Sequence, residues 1–241
     1  MHFLLVDSAD SRGCVAVFRN PELLSFEPHP ADEDFSSWLL PAVQRVLFQN
    51  ALSLADLEGY AVCSGPGSFT GLRVGLTAVK AWAEIYSKPI AAVSRLEALA
   101  LADLESPNPR PVFTAVFSDA RRGQVFAALY KNSGEPVEPE TVMALETFSS
   151  RSEATCGTSS ILWKTPDPHL LTSLPQWPNR QAKGDVLQAI EPPFAAQLGA
   201  LAHQRFVKGQ TTDALALDAN YVRRSDAELF WKDNRSAAAK P

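Results

Sequence analysis

The chain has 241 residues, 46% of them hydrophobic and 20% charged, and its 22 Lys and Arg against 27 Asp and Glu give a net charge of −5. That is enough apolar material for one large or two small domains at roughly 100–200 residues each, while the acidic balance excludes a protein that grips nucleic acid through a broadly basic surface. Three widely spaced cysteines, Cys14, Cys63 and Cys156, exclude a disulfide scaffold and a Cys-based zinc site and suit buried thiols in a reducing compartment.

The first apolar run, Phe3 to Val6, stops at Asp7 and has no basic segment before it, so it reads as a strand and not a signal peptide. No apolar stretch approaches the roughly 20 residues that span a bilayer, and a cytoplasmic protein is expected. Ser8 to Gly13 is turn chemistry, Cys14 to Phe18 and Leu23 to Phe26 are further strands, and the three form a meander. Phe35, Leu39, Val43, Val46 and Leu47 then recur at helical spacing, with Asp32 or Asp34 available as cap and Pro41 predicting a kink or a late start. Tyr60 to Cys63 is a strand, a glycine-rich loop follows, and a helix runs from about Leu72 to Ser87. After the break at Lys88-Pro89, Ile90 to Val93 is a strand and Ser94-Arg-Leu-Glu97 is a capping box opening another helix. The first half therefore reads β-β-β-α-β-α-β-α.

Ser106 to Pro111 is a stiff proline-rich connection, and it divides the chain into an N-terminal lobe (1–105) and a C-terminal lobe (106–241). The pattern then restarts: a strand at Val112 to Ser118, a turn at Asp119 to Gly123, a strand at Gln124 to Lys131 and an extended segment near Val137 to Ala144. Both halves end their first strand on an Asp, a sign of internal duplication. The proline-rich stretch 164–184 reads as a long irregular loop. Pro192-Pro193 opens a helix carrying Phe194, Leu198, Leu201 and Ala202 that ends near Gly209, and Asp233 to Pro241 is a polar tail.

The strongest motif is the loop Gly65-Pro66-Gly67-Ser68-Phe69-Thr70-Gly71, between a strand and a helix N-terminus. That position suits an anion. The spacing matches neither a Walker A loop, since Leu72-Arg73 follows Gly71, nor the G-x-G-x-x-G dinucleotide fingerprint. On spacing alone the glycines are read as allowing a tight turn and close helix-to-strand approach. In the helix that follows, Arg73, Thr77, Lys80, Glu84 and Ser87 form one narrow polar stripe and the rest is apolar. Such a helix is either sandwiched within the monomer or covered by another subunit; the pattern leaves both open.

The run Ser64-Gly-Pro-Gly-Ser-Phe-Thr-Gly-Leu-Arg-Val-Gly75 resembles the signature of the TsaB (YeaZ) family. Leu5-Val-Asp7-Ser-Ala, Leu40-Pro-Ala-Val43, Asp119-Ala-Arg-Arg-Gly-Gln-Val125 and Asn220-Tyr-Val-Arg-Arg224 with Trp231-Lys232 are similar to further blocks of that family in the same order; about 145–190 carries little likeness. The resemblance implies an α/β duplicated two-lobe fold of the ASKHA (actin-like ATPase, RNase H-like) class. It implies a non-catalytic subunit of the bacterial complex that forms N6-threonylcarbamoyladenosine next to the tRNA anticodon, one that binds and activates a TsaD-like catalytic paralogue. A TsaE-like ATPase would join them, a homodimer is possible when the chain is alone, and contact with tRNA would be only indirect. The partner interface would lie on the first two helices, at Phe35, Leu39, Val43, Val74, Ala78, Ala81, Trp82 and Ile85. Relatives often carry a His where this chain has Phe35.

The catalytic paralogue holds its metal partly through a His-x-x-x-His pair, and the matching positions here are Arg95 and Leu99, which cannot ligate a cation. His2, His29, His169 and His203 are scattered, and neither a metal nor a resident cofactor is expected. For nucleotide, Asp7, Ser8 and Asp119 are the candidate weak contacts, with ATP or ADP in the assembled complex in view; the plain alternative is a carboxylate satisfying its own turn. Arg223, Arg224, Lys232, Arg235 and Lys240 are candidate tRNA or partner contacts. The competing readings are a stand-alone ASKHA ATPase or phosphotransferase using Asp7 and Asp119, and a metallopeptidase, against which Arg95 and Leu99 speak.

Overall fold

The computed structural model describes residues 1–102 and 111–223. The chain begins with a meander, β1 (His2–Asp7), β2 (Cys14–Arg19) and β3 (Glu22–Pro28). Helix α1 (Phe35–Gln49) starts after Asp34 and continues through Pro41. A single 3-10 turn at Leu54–Asp56 leads to β4 (Gly59–Gly65), α2 (Phe69–Tyr86), β5 (Ile90–Ser94) and α3 (Arg95–Leu101), so the β-β-β-α-β-α-β-α order expected for the first half is the order observed. Helix α2 begins three residues earlier than the apolar periodicity suggests. Ser68 takes the cap position, and its hydroxyl accepts from the Gly71 N–H at 3.3 Å. Ser94 caps α3 by accepting from the Leu96 and Glu97 N–H groups. The Glu97 carboxylate does not return to its own cap but accepts from Arg205 at 2.7 Å.

The second half builds β6 (Phe113–Asp119), β7 (Val125–Lys131), β8 (Thr141–Met143), α4 (Leu145–Cys156), β9 (Ile161–Thr165), α5 (Pro168–Thr172), α6 (Trp177–Ala182), β10 (Val186–Ala189) and α7 (Ala195–Val207). The irregular loop expected at 164–184 is instead the end of a buried strand and two short helices. Pro168 and Pro178 stand in the first turns of those helices, where the missing N–H has no partner to lose.

The two sheets repeat one topology. The first has the order β3-β2-β1-β4-β5, antiparallel through β1 and parallel beyond it; the second runs β8-β7-β6-β9-β10 with the same senses. A five-stranded mixed sheet occurring twice, with helices in matching connections, is the duplicated ASKHA architecture. The division expected at 105/106 lies outside the described residues, and the second lobe does not hold everything after it. Helix α7 leaves its own sheet and packs across β1 to β5 of the first, while α3 packs on β6, β7 and β9 of the second. Phe18, against which Gly199 lies, and Leu198 are sealed from solvent in a core shared by both lobes. Lys164 ties the lobes again: its buried ammonium donates to the Ala100 and Ala102 carbonyls at the end of α3. Among the described residues no helix is long and apolar enough to cross a membrane. Arg224, Trp231, Lys232, Arg235, Lys240 and most of the 106–111 connection lie outside the described residues.

Candidate functional site in the cleft between the lobes

The meander turns after β1 and β6, the 65–71 loop and the segment 220–223 enclose a cleft of about 1170 Å³. Its floor is an ion chain that joins the lobes. Arg95 Nη1 donates to both Asp7 oxygens at 3.0 and 3.3 Å, and its Nη2 lies 3.5 Å from Asp10. Arg12 donates to Asp10 at 2.8 Å and, across the cleft, to Asp167 at 3.1 Å. Asp167 also accepts from the Asp119 backbone N–H at 2.8 Å, which fixes the end of β6. Burial alone would raise the Asp10 carboxyl, but the charges of Arg95 and Arg12 and the Arg12 hydrogen bonds hold it below the usual carboxylate range. Burial would likewise favour the uncharged form of Arg95, and the charges of Asp7 and Asp10 outweigh it and hold it above its ordinary value.

Asp7 and Ser8, candidates for nucleotide contact, do not line this cleft. Both are fully buried. Asp7 accepts from the Ala9 N–H in its own turn and is otherwise taken up by Arg95; the Ser8 hydroxyl donates to the Gly71 carbonyl. A guanidinium from α3 fills the space beside Asp7. Asp119 does line the cleft, and its carboxylate accepts from the Arg121 N–H at 2.7 Å, an Asp satisfying its turn.

The 65–71 loop shows why its glycines are there. A Cβ at Gly71 would stand 2.1 Å from the Ser8 carbonyl oxygen, and one at Gly67 2.2 Å from that of Ala9. The loop therefore packs backbone to backbone against the end of β1, as the tight-turn reading requires, and Ser68 N–H donates to the Ala9 carbonyl at 2.7 Å. Thr70 and Phe69 are exposed at the mouth.

The eight expected interface residues divide. Leu39, Val43 and Trp82 are buried in the monomer core and offer no free surface. They face the chain's own sheet, and Trp82 packs near Tyr60. Phe35 is half-buried, stacked on His29 at 3.8 Å. Ala81 and Ile85 are exposed on the outer side of α2, Ile85 at 70%, while Val74 and Ala78 are half-buried against the core. Phe48, 86% exposed, and Leu40 stand on the outer side of α1; the sequence pattern passed over them because their helix turns its larger apolar set inward.

The site residues missed by sequence reasoning are Arg12, Arg73, Asp167 and Tyr221. Arg12 and Asp167 are 155 residues apart, and no local signal links them. Among the described residues no group of three or more His, Cys, Asp or Glu side chains is placed to hold a metal ion.

Comparison with known proteins agrees with this architecture. Residues 25–155 match the family model described as TsaD: tRNA N6-adenosine threonylcarbamoyltransferase. The tRNA threonylcarbamoyladenosine biosynthesis protein TsaB of Escherichia coli is 29% identical over 96% of this chain and 97% of its own length; that of Bacillus subtilis is 28% identical over 98% and 100%. A solved structure of YeaZ from Pseudomonas aeruginosa, 23% identical, covers 91% of this chain and 99% of its own with a TM-score of 0.71. With more than half its length matched by the family model and two relatives aligned nearly end to end, the chain belongs to the TsaD family and, within it, to the TsaB (YeaZ) group.

Proposed function

We propose that the chain acts in the cytoplasm in the biosynthesis of N6-threonylcarbamoyladenosine on tRNA, as a non-catalytic subunit that binds and activates a TsaD-like transferase, with a TsaE-like ATPase as a further partner. The observation that carries the non-catalytic half is the Arg95–Asp7 pair. A transferase of this family would need a metal near this place, and the residues here do not fit one: a fixed cation already neutralises Asp7, and Leu99 has no lone pair to offer. Nor can Asp7 hold a magnesium-bound phosphate without breaking that buried pair. The partner half is supported by the outer side of α2, where Ala81 and Ile85 stand exposed beside half-buried Val74 and Ala78.

The test is light scattering of the purified chain mixed with the TsaD-like protein of the same organism, for wild type and Ile85→Glu. A one-to-one complex with wild type that is lost in the variant supports the reading. A wild type that never leaves its own mass sinks it, and threonylcarbamoyl transfer by the chain alone would sink the non-catalytic half.

A further inference from the structure

The charges of the cleft are unevenly settled. On its floor every arginine is matched by carboxylates: Arg95 by Asp7 and Asp10, Arg12 by Asp10 and Asp167. At its mouth the arginines meet other groups. Arg73 lies 3.7 Å above the Phe69 ring. Arg223 donates to the Ala120 carbonyl at 2.8 Å and the Gln124 side-chain oxygen at 2.7 Å, both neutral. Among the described residues no carboxylate pairs with either. Arg121, 80% exposed, keeps only a 3.4 Å pair with Asp119 that water screens. Its backbone holds φ at 64°, an uncommon state for a side-chain-bearing residue, so the turn presents it outward at some cost.

These groups are contiguous. Arg73 covers Phe69, Phe69 packs on Tyr221 with ring centroids 5.0 Å apart, and Arg223 follows two residues later and reaches across to Ala120, beside Arg121. Phe69 and Tyr221 are 37% and 43% exposed. The result is a ribbon, two adjacent aromatic rings flanked by arginines, that crosses the cleft mouth from one lobe to the other. Weakly matched charge on the rim over a floor with more carboxylates than arginines disfavours a small polyphosphate seated deep in the cleft. It favours an extended anion with flat faces lying across the mouth.

We infer that this ribbon, Arg73–Phe69–Tyr221–Arg223–Arg121, is a binding surface for single-stranded RNA, with bases stacking on Tyr221 and on the guanidinium plane of Arg73 where it lies over Phe69, and phosphates meeting the arginines. The inference rests on the proposed role in tRNA modification and replaces the indirect contact expected there with a direct one. The acidic net charge of the chain does not oppose it, because the positive groups are local and the strand needs only a few of them.

The test is fluorescence polarisation of a labelled single-stranded RNA of about 12 nucleotides, within the usual reach of such surfaces. It is titrated with the full chain and with its transferase complex, for wild type, Arg73→Glu and Tyr221→Ala. Thermal melting checks that each variant is folded, and light scattering of the same samples reports the complex. We expect wild-type binding that weakens steeply with salt, a loss of about tenfold or more in Arg73→Glu and severalfold in Tyr221→Ala, with the complex intact. No polarisation change with either wild-type sample, or equal binding by wild type and both folded variants, overturns the inference. Displacement of the RNA by low concentrations of free AMP or ATP would assign the cleft to a mononucleotide and overturn it as well. A complex that fails to form while RNA still binds would count against the proposed partner role alone.

Discussion

Arg95 Nη1 lies 3.0 Å from a carboxylate oxygen of Asp7, a residue 88 positions earlier, and both side chains are sealed from water. The pair closes the first lobe where β1 meets α3. Two buried opposite charges gain little net stability over an apolar pair of the same shape, but removing one partner leaves the other charge stranded. Arg95→Met is therefore expected to cost about 3–5 kcal/mol. For a chain of this size that lowers the melting temperature by on the order of 10 °C. Asp7→Asn added to Arg95→Met should recover much of the loss. Urea unfolding of the single and double variants measures this, and a double variant no better than the single would show that the charge is not the cause.

Surface and core separate on α2. Ile85→Glu changes an exposed residue and should leave stability within about 0.5 kcal/mol of wild type while removing transferase binding. Trp82→Glu buries a carboxylate beside Tyr60 and should cost more than about 3 kcal/mol before any partner is added. Melting curves of the free variants distinguish the two, and a normal melt for Trp82→Glu would contradict the packing described for this helix.

Asp10 gives the chain a dependence on acid. Its carboxyl is held below its ordinary value in the folded chain, so the folded state binds its proton less readily than the unfolded one does. The stabilisation is complete above the ordinary carboxylate range and is lost as pH falls through and below about 4. Asp10→Asn should be less stable than wild type at pH 7, and its melting temperature should fall less steeply between about pH 4 and pH 2. Thermal melts across that range decide it; parallel curves for the two proteins would remove Asp10 as the source.

Gly71→Ala is expected to destabilise by about 1–3 kcal/mol or more, because the new methyl meets a backbone carbonyl that has no rotamer in which to move away. Gly123→Ala has open space at its Cβ and meets only the strain of φ 71°, for a smaller loss of about 1 kcal/mol. Denaturant midpoints of the two variants compare a steric cause with a conformational one.

The elements that were legible in the sequence are those whose signals are local. The meander, the Ser94 cap and the order of the first lobe follow from apolar periodicity and turn residues only a few positions apart. The prolines of 164–184 misled because the same residue ends one helix and begins another, and only the fold shows that Pro168 and Pro178 begin theirs. The apolar flanks of α2 announced that two faces needed cover, yet nothing in the spacing says which flank meets the chain's own sheet; Trp82 and Ile85 went opposite ways. The cleft was illegible for a different reason. Arg12 with Asp167, and Phe69 with Tyr221, are partners joined across the whole chain.

Helix α7 has a bearing on the order of events during synthesis. It closes the face of the first sheet that carries Phe18 and, through Phe206, sits 5.3 Å from the ring of Phe3. The first lobe is thus synthesised well before the helix that seals it. Until residues near 200 emerge, Phe3 and Phe18 lack their cover, and the nascent first lobe carries an open apolar face.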